Sequence, residues 1–167
     1  MNTLLEQGAF GIVIGIFTTV VLYLVKTIWT LKVVPFLAST RYQGVEIDGQ
    51  WNGLGKNDDP EKGDVFENEF SLFLTQNAHT LSGSFQFKFK SPEKDFSLDF
   101  NVSGYMWEGY VTLNFTPKDK RVTSYATALM KLHNGGLSLE GTWLFRDVIA
   151  EFVNQVPLVL FRKQQHN

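Results

Sequence analysis

Cysteine is absent from the 167 residues, which excludes a disulfide framework and any thiolate zinc site and fits a reducing compartment. Histidine is scarce. His79, His133 and His166 fall in predicted turns or at the C-terminus, and none stands at metal-ligand spacing from another histidine or a carboxylate. Asp58 and Asp59 form a lone acidic pair in a charged loop. No G-x-S-x-G, P-loop or dinucleotide fingerprint occurs. The chain therefore reads as non-enzymatic, with no catalytic residues, metal or cofactor expected. A basic stripe is also missing: net charge is −2, so no DNA or RNA polymer is expected as a partner.

Charge is nearly missing from the first forty residues, which hold only Glu6, Lys26 and Lys32. Gln7 to Val25 runs nineteen residues without a charge, close to the ~20 apolar residues that cross a bilayer as a helix. A cleavable signal peptide would want a basic start and a small-residue cleavage site; this start has Glu6 and no Lys or Arg. Lys26, Lys32 and Arg41 all follow the apolar run, and the positive-inside rule places that side in the cytoplasm. Tyr23 and Trp29 suit the interfacial aromatic belt on the same side. Residues 27–38 contain Pro35 and are too short for a second crossing; they read as a helix continuation followed by a surface-lying connector, with a tight helical hairpin as the alternative. Gly11 and Gly15 form a G-x-x-x-G, near Gly8 and the Thr18–Thr19 pair. Small residues so spaced let two helices approach closely in lipid, although glycine is common in membrane helices anyway. Self-association in a homo-oligomer is the expectation they carry. The domain reading is residues 1–40 as transmembrane anchor and connector, and 41–167 as a cytoplasmic, ligand-sensing domain.

The second part is rich in phenylalanine and alternates. Val45, Ile47, Gly49 and Trp51 share one parity, which predicts a half-buried strand. A polar loop, GKNDDPEKGD, follows. In TLSGSFQFKFK, Leu81, Gly83, Phe85, Phe87 and Phe89 face one way, against Ser82, Ser84, Gln86, Lys88 and Lys90. Phe96, Leu98, Phe100 and Val102 share a face, as do Trp107, Gly109, Val111, Leu113 and Phe115. RVTSYATALMKL, LSLEGTWLFR and VPLVLFRK complete about eight strands at near-regular spacing. The pattern predicts an all-β, antiparallel, up-and-down barrel of calycin-like form behind the helix; a two-sheet sandwich is the alternative. A barrel of this size is just filled by side chains or holds one small ligand. In the sixth strand Ser124, Ala126 and Ala128 oppose Thr123, Tyr125 and Thr127. Small residues facing inward would leave room for a ligand; Tyr125 and Thr127 facing inward would line the space with hydrogen-bonding groups.

Cations beside aromatic rings hold phosphorylated bases through charge-assisted hydrogen bonds and stacking. The ligand-binding candidates are Arg146, Arg121 and Lys131, with Tyr125, Thr127, Tyr105, Trp51 and Trp107. Against them, Lys88 and Lys90 fit a solvent face, and the tryptophans could simply plug the barrel.

Three stretches carry a family resemblance: the apolar anchor to Ala38, IDGQWNG at Ile47–Gly53, and LEGTWLFRD at Leu139–Asp147 with the closing VPLVLFRK. Together they resemble the two-transmembrane, β-strand-rich effectors associated with CD-NTases in bacterial antiphage signalling, the CBASS type. I-x-G-x-W-x-G resembles that barrel's opening, and the penultimate strand resembles its G-x-[YW]-x-x-x-R pattern with the arginine at Arg146. G-x-W openings also occur in lipocalins and other calycins, and this chain has one convincing membrane helix where the family usually has two. The resemblance implies a cyclic oligonucleotide ligand, suspected to be a cyclic dinucleotide, and a functional link to a CD-NTase-like nucleotide cyclase. It implies further that binding controls how anchors assemble and disrupt the bacterial inner membrane. A membrane-tethered lipid or fatty-acid binder and a non-binding interaction scaffold are the other two readings.

Overall fold

The computed structural model describes residues 2–57, 66–146 and 152–163. The chain divides into two units, Met1–Tyr42 and Gln43–Asn167.

The first unit is helical from Asn2 to Arg41. Helix α1 covers Asn2–Ile28, a π-helical turn covers Trp29–Val33, and α2 covers Val34–Arg41. At 1.5 Å per residue the run is about 60 Å long. Within it Gly11–Thr40, thirty residues, is long and apolar enough to cross a membrane. The connector expected within residues 27–38 is helical instead. Pro35 does not end the helix because it sits in the first turn of α2, where a missing N–H costs little. The widened π turn immediately before it takes up the irregularity. The link to the second unit is residues 42–48.

The second unit is a closed barrel of eight antiparallel strands, each hydrogen-bonded to the next in chain order and β8 to β1. The strands are β1 Gly49–Asn57, β2 Phe66–Asn77, β3 Thr80–Lys90, β4 Asp95–Trp107, β5 Tyr110–Pro117, β6 Ala126–His133, β7 Ser138–Arg146 and β8 Val153–Arg162. Period-two alternation places one parity inside. Leu72, Leu81, Phe85, Phe100, Leu113, Leu139 and Leu160 are each at most 1% exposed.

Inward glycines let the strands coil this tightly. A Cβ on Gly83 would strike the Phe73 carbonyl, one on Gly104 the Thr112 carbonyl, and one on Gly141 the Leu129 carbonyl. Close backbone approach of this kind is what glycine in a strand permits.

Alternation fails across one turn. Trp107 was grouped with Val111 and Leu113 from the sequence, yet it is 63% exposed. Glu108 and Gly109 form a two-residue turn with positive φ at both positions (49° and 79°), so Trp107 pairs with Tyr110 and both point outward. A mirror-image turn of this type is the usual tight hairpin connection.

Candidate functional site

The two ends of the barrel differ. At the end holding the start of β1, the chain plugs its own opening. Trp51 and Ile47 are fully buried, and the Trp51 indole N–H donates to the Ile47 carbonyl at 2.9 Å. Gln76 clamps the incoming chain: its Oε1 accepts from the Ile47 amide (2.7 Å), and its Nε2 donates to the Val45 and Ala78 carbonyls. Arg162 lies over the Trp51 ring, 5.7 Å from its centroid, and donates to the Glu46 and Asp48 carbonyls. This end is sealed.

The opposite end is a mouth. A cavity of about 360 Å³ opens there, lined by Phe87, Phe96, Leu98, Phe100, Val122, Ser124, Ala126, Trp143, Phe145 and Arg146. Room for it comes from β6, whose small face points inward: Ala128 is buried, Ala126 and Ser124 are half-buried, and Tyr125 is exposed. Aromatic rings form the walls. Trp143 packs against Phe145 (4.8 Å between centroids), Phe87 (5.4 Å), Phe85 (5.8 Å) and Phe70 (5.9 Å). Phe87 and Phe89 both meet Phe96 at the rim.

The polar groups are few. Arg146 ends β7 at the cavity's edge, its backbone amide held by the Tyr125 carbonyl at 3.1 Å. Trp143 is 4% exposed, and its indole N–H finds no acceptor among the described residues. Asn68 Oδ1 on β2, which shares the inward parity of Phe66 and Phe70, finds no donor among the described residues. A buried donor without a partner costs about 1–3 kcal/mol. The cavity can hold a flat, largely apolar ring against its aromatic walls, with an anionic group beside Arg146.

Of the eight sequence candidates, only Arg146 lines this cavity. Tyr105, Trp107, Tyr125 and Thr127 lie on the outer wall, because the strand parity that places Phe100, Val102, Ala126 and Ala128 inside turns them out. Lys131 is also outside, its Nζ 5.4 Å from the Tyr110 ring centroid. Trp51 belongs to the sealed end. Arg121 sits in an exposed loop, where its Nε and Nη2 bond the Asp119 carboxylate at 3.1 and 2.9 Å; that guanidinium holds the Asp119 carboxyl below its ordinary value. Asp58, Asp59 and His166 fall outside the described residues.

Sequence reasoning singled out neither Arg162 nor Asn68. The signal for both was available, since each is a polar residue on the apolar parity of its strand: Val156, Leu158, Leu160, Arg162 in one case and Phe66, Asn68, Phe70 in the other. Trp143 enters the sequence reading only within the LEGTWLFRD stretch and among the tryptophans that could plug the barrel.

The fold defines a plugged eight-stranded barrel with one apolar mouth, carried behind a helix of membrane-spanning length. Comparison with protein-family models, curated proteins and solved structures finds no match.

Proposed function

We propose that this chain is a membrane-anchored receptor–effector: its barrel binds a cyclic oligonucleotide at the open end, and occupancy controls assembly of the anchor helices in the inner membrane. One observation carries the reading, an aromatic-walled cavity that has Arg146 at its edge. A nucleotide meets both features. Its base stacks on the rings, while its phosphate pairs with the guanidinium at the rim. A cavity of this volume takes one base, leaving the sugar–phosphate ring at the mouth. The resemblance to CD-NTase-associated effectors supports the same ligand class and the membrane-disrupting output. Lys26, Lys32 and Arg41 after the apolar run support a single-pass anchor with the barrel in the cytoplasm.

The second reading is a tethered fatty-acid binder, favoured by eight apolar residues among the ten that line the cavity. Calorimetry on residues 43–167, which contain the barrel's entire buried core, separates the two. Heat from a cyclic dinucleotide and none from oleate is the expected result. Heat from oleate, with none from a panel of cyclic di- and trinucleotides, sinks the nucleotide reading.

A further inference from the structure

The sealed end carries a second surface. The β4–β5 hairpin turns there at Glu108–Gly109, flanked by Trp107 and Tyr110, with Tyr105 one step back on the same outer face. These rings are 63%, 50% and 64% exposed. Leu137, at the neighbouring β6–β7 turn, is also exposed, as is Val45, whose Cγ1 lies beside Gly136 of that turn. Tryptophan and tyrosine, with an apolar body and a polar tip, concentrate at the bilayer surface. Lys131 extends over Tyr110 in the manner of a lysine that buries its stem and keeps its charge wet. Charges at this end are of both signs: Lys131, Arg162 and Lys163 against Glu46, Asp48, Glu108 and Glu140. A neutral lipid surface suits such a mixture better than a strongly anionic one.

The chain itself names the occupant. Helix α2 ends at Arg41, and the Val45 carbonyl is already clamped by Gln76 on the sealed end. Only residues 42–44 lie between, no more than about 15 Å of chain. The last turns of the helix still expose Val34, Phe36 and Leu37, so its end belongs at a lipid surface. We propose that the sealed end docks on the headgroup layer of the membrane that holds the chain's own helix, with Trp107, Tyr110 and Tyr105 inserted at the interface.

Because the sequence has no cysteine, single labels can be placed cleanly. Full-length protein is put into phosphatidylcholine vesicles containing headgroup-spin-labelled lipid. A fluorophore is attached at Glu108→Cys, beside the proposed face, or at Glu93→Cys, in the β3–β4 turn at the open end. Quenching at position 108 is expected to exceed that at 93 by about fivefold, as interfacial insertion of the adjacent rings requires. Trp107→Ser with Tyr110→Ser should bring it down to the level at 93. Equal quenching at the two positions overturns the proposal. So does strong quenching at 108 that survives the serine pair in a barrel of unchanged melting temperature. Should the serine pair unfold the barrel, the 108-against-93 comparison in the otherwise native chain decides alone.

Discussion

Trp143 and Ala128 face each other across β6 and β7, and that pairing sets the depth of the cavity. The indole fills the space the alanine leaves, so the room that remains lies toward Ala126 and the mouth. Replacing Trp143 by Leu keeps an apolar side chain in the wall and removes a stacking ring. On the proposed function, cyclic-nucleotide affinity should fall about tenfold, the weight of one base–aromatic stack of ~1.4 kcal/mol. Calorimetry on the variant barrel checks this; unchanged affinity would mean that the base does not stack on the indole. Arg121 illustrates the opposite case. Its guanidinium is spent on Asp119 in an exposed loop, and surface pairs of this kind contribute little to stability.

Strand alternation was readable in the sequence because one face of every strand meets a dry core, and a single wrong parity would bury a charge. The inward sets Leu81–Phe89 and Phe96–Val102 stand in the barrel as the pattern implied. What the pattern could not carry was phase across a turn: two residues at Glu108–Gly109 put Trp107 outside, and five of the eight candidate ligand residues lie on the outer wall. Parity at β6 was open for a related reason, since Ser, Ala, Thr and Tyr differ too little in apolarity to choose a side. In the helix, apolar length was legible, whereas Pro35 suggested an end that the π turn removes. Close approach between strands leaves only a glycine as its mark. Gly83→Ala forces a Cβ onto the Phe73 carbonyl and should destabilise the barrel by roughly 2–4 kcal/mol, read in urea unfolding of residues 43–167. A change below the error of that measurement would show that β2 and β3 can move apart freely. In α1, Gly11 and Gly15 have nothing within 4 Å of where a side chain would sit, and the nearby Thr18 and Thr19 hydroxyls bond back to the Ile14 and Gly15 carbonyls. That leaves a smooth, close-packing face. On the proposed assembly of the anchors, Gly11→Leu with Gly15→Leu should reduce crosslinked oligomers of the full-length protein in membranes at least severalfold; an unaltered ladder would count against that assembly.

At the scale of the molecule, the buried core of the described residues lies between Ile47 and Leu160, so the barrel can be studied without the helix. Beside the Gln76 clamp, its sealed end has a longer-range clasp, in which Arg162 on the last strand closes over Trp51 on the first and ties the incoming chain at Glu46 and Asp48. Arg162→Ala removes two charge-assisted hydrogen bonds and the ring contact. A loss of about 2–3 kcal/mol is expected, with early hydrogen exchange at the start of β1 and the end of β8; a uniform loss of protection around the barrel would contradict a local clasp. The clasp has a further consequence. A tube stopped at one end is a cup, and by the described residues a molecule held in it would enter and leave through the same doorway. Residence time would then be set at the rim, where Phe96, Val122 and Arg146 are among the described residues at its lip.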